Sequence, residues 1–389
     1  MPLPTDAVDP TTAPGAWNSP PVPKCSNSIS MASSPTGSPS ASRRESDETH
    51  PPHRGRSRFA GCLIGQCLGD AVGFAVEGHS PEVCQGYVDR SLRLEVPAPV
   101  GRAGFAFGQY TDDSQLAREL LQSYVRRGRF DPADYACAIR DIFAEERIVG
   151  RGRATEQGAE ALARGVPWDR SGTPPPSAGN GSAMRAGPIG LMFHDDLDAL
   201  AKAAHDQGRI THADPRCSAG AVVIAGAVAR VVRGELLPRA DFLEGLAALA
   251  APHDPIMAEA LGHMNTWVTQ APDEVAGVVA HLGVNPDYSD GWRGISPFVT
   301  SSVLWAVYAF LRSPGDYWET LCTAIAVGGD VDTTAAMAGA ISGAHLGLEA
   351  LPSALTRALN DQQTWGHGAL VQLAHDAHAV QVRGGPTQG

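Results

Sequence analysis

Gly61-Cys62-Leu63-Ile64-Gly65-Gln66-Cys67-Leu68-Gly69-Asp70-Ala71-Val72-Gly73-Phe74-Ala75-Val76-Glu77 is the stretch from which the fold is read. Leu63, Ile64, Cys67, Leu68, Ala71, Val72, Ala75 and Val76 recur at helical spacing. Gly61, Gly65, Gly69 and Gly73 fall every four residues, so one edge of that helix carries no side chains. Each glycine costs about 1 kcal/mol of helix propensity relative to alanine, and a run of four calls for a reason. Gly339, Gly343 and Gly347 draw a second bare edge along 333–347. Tight packing in a chain with 43 glycines is one reading. The sharper one buries both helices at the centre and brings functional ends together.

The same periodicity spreads outward from this helix. In 111–126, Leu116, Ala117, Leu120, Leu121, Tyr124 and Val125 share a face. Segments 133–147, 188–206, 218–233, 241–250, 297–312, 316–327 and 333–347 read as helices too, and no clear period-2 strand interrupts them. Pro/Gly-rich loops separate them at 167–182 and 283–297. The expected fold is all-α: one compact multi-helix domain over 58–383, ending in a frayed terminus. Residues 1–57 differ in kind, with 11 Pro, 11 Ser and almost no large apolar residue. Such a segment buries too little surface to offset its ordering entropy, so a disordered tail is expected there.

Composition limits what the domain does. The formal charge is −12, which argues against a general nucleic-acid binder, since phosphate binding needs a basic surface. Seven Cys without a CxxC pair exclude a zinc ribbon and suit a reducing compartment. The small-apolar run Ala219–Ala229 is too short to span a bilayer, so no membrane partner is expected. No basic segment followed by an apolar one opens the chain. A cytoplasmic monomer is the expectation.

Two acidic clusters each stand before a helix. Thr111-Asp112-Asp113-Ser114 opens the first, where Thr111 suits an N-cap and the acids favour the helix dipole. Capping alone is the competing reading. Gly328-Gly329-Asp330-Val331-Asp332-Thr333 follows the apolar run Ala324–Val327 and precedes an alanine-rich helix. Four Asp stand in these clusters with no Lys or Arg inside either. Buried together they need positive charge, and two divalent cations would cancel them. Hard oxygen donors without HxH, HExxH or CxxC favour Mg²⁺, or Mn²⁺, over Zn²⁺. Glu77 joins them as a third acidic element if its helix packs antiparallel on 333–347; otherwise it is a solvated glutamate. Asp70, seven positions earlier on the same face, reads as structural.

Ser177-Ala178-Gly179-Asn180-Gly181-Ser182-Ala183-Met184-Arg185 is a glycine-rich turn before an apolar helix. Bare amides at such a turn suit phosphate, although a flexible loop looks the same. Arg185 pairs with that phosphate or with an acidic neighbour. His212, in Thr211-His212-Ala213-Asp214, either donates to a ligand or packs locally. Trp292 and Phe298 are candidates to stack a base, with core burial as the alternative.

Together, and in this order, Gly69-Asp70-Ala71-Val72-Gly73 with Glu77, Thr111-Asp112-Asp113-Ser114, Gly179-Asn180-Gly181 with Met184-Arg185, Thr211-His212 and Gly329-Asp330-Val331-Asp332-Thr333 resemble the ADP-ribosylglycohydrolases. The resemblance covers about 59–350. It implies an orthogonal bundle of helices with a binuclear Mg²⁺ (or Mn²⁺) centre. By that resemblance Thr111, Asp112 and Asp113 hold the first ion, Asp332 bridges, and Asp330 and Thr333 hold the second. Glu77 is then a movable ligand near the scissile bond. Ser177, Gly179, Asn180, Gly181 and Ser182 wrap ADP-ribose, with His212 near its ribose or diphosphate. The implied activity is hydrolysis of the N- or O-glycosidic bond joining ADP-ribose to a protein or small-molecule acceptor, with Glu77 or Asp113 as the catalytic base. A non-hydrolytic ADP-ribose binder and a two-metal phosphoesterase are the alternatives. Some relatives carry an aromatic where this chain has Ala178, so the base-stacking partner is left open.

Overall fold

The computed structural model describes residues 51–234, 238–284 and 291–384. In chain order the helices are α1 (Pro51–Gly73), α2 (Pro81–Tyr87), α3 (Asp112–Arg127), α4 (Pro132–Ala144), α5 (Arg153–Ala163), α6 (Gly187–Met192), α7 (Leu197–Arg209) and α8 (Pro215–Val231). There follow α9 (Arg239–Ala250), α10 (Pro255–Trp267), α11 (Pro272–Val279), α12 (Val299–Arg312), α13 (Tyr317–Ala326), α14 (Val331–Leu346), α15 (Ser353–Thr356) and α16 (His367–Gly384). The described residues contain no β-strand, only isolated bridges, and the fold is the expected all-α one.

The centre is the pair α1 and α14, packed backbone against backbone. A Cβ added to Gly61 would lie 2.3 Å from the Gly343 carbonyl oxygen, and one on Gly65 would lie 2.5 Å from that of Gly339. On Gly69 it would lie 2.1 Å from the Ala335 oxygen, and on Gly73 2.5 Å from the Asp332 Cα. As the number rises on one helix it falls on the other, so the pair is antiparallel. The two bare edges are therefore where the helices touch, and both helices are buried at the centre, as the sharper reading expects. Helices α3, α6 and α16 also pack on α1, while α8, α12 and α13 pack on α14. Residues 54–76 are long and apolar enough to cross a bilayer, but 94% of the most apolar window is buried among these neighbours.

Several boundaries differ from expectation. Helix α1 begins at Pro51, inside the stretch read as tail. Prolines are tolerated there because first-turn N–H groups lack intrahelical acceptors anyway. The disorder expected for 1–50, and the fraying expected for 385–389, fall outside the described residues. The single segment read at 188–206 is two helices, because Asp196 caps a new one by accepting from the Ala199 N–H. Helices α5, α10, α11 and α16 carry no expectation from the sequence; their apolar faces are narrow or interrupted by polar residues.

Candidate active site

Helix order carries the acids to one place. The C-terminal end of α1 meets the N-terminal end of α14, and the N-terminus of α3 lies beside both. Beyond α1 the chain turns through Gly78, whose N–H donates to the Gly329 carbonyl at 2.8 Å. Gly329 N–H in turn donates to the His79 carbonyl. Gly329 has φ +88°, and a Cβ on it would sit 2.1 Å from the Ile295 oxygen, so only glycine fits this crossing. Asp330 N–H completes the crossing by donating to the same Ile295 oxygen at 2.7 Å.

Five carboxylates result in two overlapping groups. Asp70, Asp113 and Asp332 offer oxygens within 4.8 Å of one another, and so do Glu77, Asp330 and Asp332. Asp332 belongs to both. Asp70, Asp113, Asp330 and Asp332 are buried, whereas the Glu77 side chain retains 29% exposure. Thr333 hydrogen bonds to both Asp113 and Asp330.

Asp70 does more than the sequence suggested. Its carboxylate accepts from the N–H groups of Thr111 and Ser114 at 3.0–3.1 Å, and from the Thr111 hydroxyl at 3.0 Å. Asp70, not Thr111, thus satisfies the first amides of α3. Thr111 occupies the N-cap position, but its hydroxyl is turned to Asp70 and Asp113. The seven-residue spacing from Asp70 to Glu77 was the available signal.

Asp112 stands apart from both groups. Its carboxylate lies against the loop before α5, accepting from the Gly152 N–H, and a Cβ on Gly150 would come within 2.9 Å of Oδ1. It is close enough to feel Asp70, Glu77 and Asp330, but it is directed elsewhere.

The electrostatics of this cluster are severe. Burial pushes Asp112, Asp113 and Asp332 well above the ordinary carboxylate range, and the neighbouring acids push further. Burial raises Asp70 to about 7, against hydrogen bonds from Ser114 and Thr111 that pull it down, and raises Asp330 to about 6. Among the described residues the sole ion pair to any of these acids is Arg102 with Glu77. Asp113 Oδ1 is buried without a hydrogen-bond partner. A buried oxygen without a donor, amid five acids with one peripheral cation between them, is what divalent cations would satisfy.

The glycine-rich loop lies directly above. Asn180 donates its side-chain amide to Asp330 at 2.5 Å and to Ser302 at 3.2 Å, so it holds an acid rather than a ligand. The Ser182 hydroxyl is turned inward to the Cys217 carbonyl at 2.8 Å and is not presented either. Ser177 is exposed, and Gly179 and Gly181 offer backbone. His212 packs under them, with Cε1 at 2.6 Å from where a Gly181 Cβ would be. Arg185 is fully buried and donates to Thr211 Oγ1 at 2.7 Å and to Gln207, so it reaches no phosphate. The Thr211 hydroxyl and His212 Nδ1 share a hydrogen bond of 2.8 Å, and Nε2 lies beside Gly179 and Gly181. Burial, reinforced by Arg185, lowers His212 to about 3, so it is neutral.

Ala178 is buried, and its carbonyl accepts from the Val299 N–H. Phe298 sits beside it, partly exposed, with the Arg216 guanidinium 5.5 Å over its ring. Trp292, also partly buried, lines a separate cavity of about 860 Å³ between α2, α11 and α13.

The ADP-ribosylglycohydrolase family model matches residues 51–386. Human ADP-ribosylhydrolase ARH3 is 31% identical over 84% of this chain and 94% of its own. ADP-ribosylarginine hydrolase Tri1 of Pseudomonas putida is 26% identical over 77% of this chain and 74% of its own. A solved structure titled ADP-ribosylglycohydrolase-related protein complex superposes with a TM-score of 0.62 at 26% identity, covering 84% of this chain and 99% of that one.

Proposed function

The chain belongs to the ADP-ribosylglycohydrolase family, a glycosidic-bond hydrolase family, and on that premise we propose that it releases ADP-ribose from an N- or O-linked acceptor at a centre built for two divalent cations. The observation that carries this reading is the pair of carboxylate groups sharing Asp332 beneath the Gly179–Ser182 loop. Mg²⁺, or Mn²⁺, suits this all-oxygen donor set. Asp70, Asp113 and Asp332 would hold one ion; Glu77, Asp330 and Asp332 would hold the other, with Thr111 and Thr333 adding hydroxyls. When bound, such cations orient the ribose hydroxyls and a water and offset charge in the transition state.

The protein's own groups do the rest. The Gly179 and Gly181 backbone gives the ADP-ribose its seat, and the neutral His212 beneath it adds no charge. Asn180 couples that seat to Asp330, so the position of the sugar and that of the acid are set together. Water attacks the anomeric carbon as the bond to the acceptor breaks, through an oxocarbenium-like state. Asp113, or Glu77 at the opening, takes the water's proton. That proton then leaves with the acceptor.

The test is incubation with ADP-ribosyl-serine and ADP-ribosyl-arginine peptides, with and without EDTA, with products identified by mass. Intact ADP-ribose, lost with EDTA and restored by Mg²⁺, is expected. AMP or phosphate as product would instead indicate a phosphoesterase, and binding without any product a non-hydrolytic relative.

A further inference from the structure

Glu77 differs from the other four grouped acids in being only partly buried, so it marks the opening of the site. The ligand seat is tied to Asp330, a buried member of the same group, through Asn180. A substrate whose anomeric carbon sits at the carboxylates and whose ADP-ribose runs to that seat must send its acceptor out past Glu77. There the structure has already placed a cation. The Arg102 guanidinium pairs with Glu77 Oε2, donates to the Phe74 carbonyl at 3.3 Å and lies 4.9 Å over the Phe74 ring.

Arg102 is anchored rather than trailing in solvent. Its own carbonyl accepts from the Phe105 N–H at 2.8 Å, and a Cβ on Gly101 would lie 2.2 Å from the Phe105 oxygen, so the loop closes tightly on itself. The Phe105 ring packs 5.8 Å from that of Phe74.

We propose that Arg102 selects the acceptor, favouring a neutral hydroxyl over a guanidinium by occupying the Glu77 face that a cationic acceptor would need. This deepens the hydrolase reading and rests on it. An arginine acceptor carries its positive charge into the site, and there it meets a like charge and a carboxylate already paired. A serine acceptor brings no charge and loses nothing. Arg102 meets the carboxylate groups only through Glu77, so its role is in specificity.

The experiment compares ADP-ribosyl-serine and ADP-ribosyl-arginine peptides of otherwise identical sequence. kcat/KM and Kd are measured for the wild-type chain, Arg102→Lys, Arg102→Ala and Arg102→Glu, with Kd taken in metal-free protein. The wild-type preference for serine should fall by about tenfold in Arg102→Glu, less in Arg102→Ala, and hold in Arg102→Lys. The change should sit mainly in KM and Kd for the arginine peptide. A serine-to-arginine ratio that stays within twofold in Arg102→Glu overturns the proposal and leaves the hydrolase reading standing. If the wild type cleaves neither peptide, the hydrolase reading is what fails. The Kd ratio then judges Arg102 alone, and it must move with the charge for the proposal to survive.

Discussion

Asn180 donates its side-chain amide to Asp330 Oδ2 at 2.5 Å, which joins the glycine-rich ligand loop to the second carboxylate group. Asn180→Ala should leave that oxygen without its donor and relax the loop. Losing a hydrogen bond to a charged group costs about 1.5–3 kcal/mol, so kcat/KM should drop by one to two orders of magnitude. Asn180→Asp should be worse, because it adds a carboxylate to the cluster. Unchanged kinetics in both would make the contact incidental.

Asp332 belongs to both carboxylate groups, so Asp332→Ala should abolish turnover while the helix remains, alanine being a good helix former. In thermal melts the wild-type chain should gain several degrees with millimolar Mg²⁺, and the variant should not. A normal Mg²⁺ shift in Asp332→Ala would count against a shared centre.

The pH dependence follows from the raised acids. Asp330 is raised to about 6 and Asp70 to about 7, against an ordinary value of 3.8. Between pH 4 and pH 7 the unfolded chain has released protons that the metal-free folded protein still holds. Stability from these groups is therefore complete below about pH 4 and lost as pH rises through 6–7. Chelator-treated protein should melt lower at pH 7.5 than at pH 5, and Mg²⁺ should raise the melting temperature more at pH 7.5. The opposite order would show that these acids are not strained by burial.

The α1–α14 contact makes a counterintuitive stability prediction. Gly69→Ala improves helix propensity, yet its Cβ would lie 2.1 Å from the Ala335 carbonyl oxygen. Overpacking of this kind costs about 1–3 kcal/mol, so urea midpoints should fall. Gly262→Ala, on an exposed face of α10 with nothing within 4 Å, should instead stabilise by about 0.5–1 kcal/mol.

Asp361 is the buried partner of Arg118, at 2.6 Å, and accepts from Gln109 and Gln115 as well. Removing it leaves the fully buried guanidinium with Glu119 as its remaining carboxylate partner, at 2.9 Å. Asp361→Ala should cost about 3 kcal/mol, whereas Asp361→Asn should cost less because it still accepts hydrogen bonds. Equal denaturation midpoints for the two would refute this account.

The central helices were legible in the sequence because a four-residue glycine period has few structural uses. Their antiparallel direction stood in the sequence only as a condition, because two bare edges can meet either way round, and it is the structure that supplies it. The acids were legible as clusters, because several carboxylates next to apolar runs must meet positive charge somewhere. What the sequence concealed was direction. Asp112 and Asp113 are neighbours, yet one is turned to Gly152 and the other to Asp332, a choice made by the loop before α5. Asp70 read as structural, and it is both structural and a member of a carboxylate group, since capping uses some lone pairs of a carboxylate and leaves others. The resemblance implies Ser182 at the ligand, and the sequence leaves Arg185 to a phosphate or an acidic neighbour, whereas tertiary contacts with Cys217, Gln207 and Thr211 engage both side chains. Arg102 carried no sequence signal, because its partner is 25 residues away across a loop.

The seam of carbonyls and bare Cα atoms between α1 and α14 has a mechanical consequence. No side chain stands there to act as a spacer, so nothing can be swapped to slide one rod along the other by a fraction of a turn. Both rods end in the acids, and the interval between the two halves of the site is therefore inherited from main-chain geometry. New specificities would have to be written in the surrounding connections, as at Arg102, while the gauge of the track beneath stays the same.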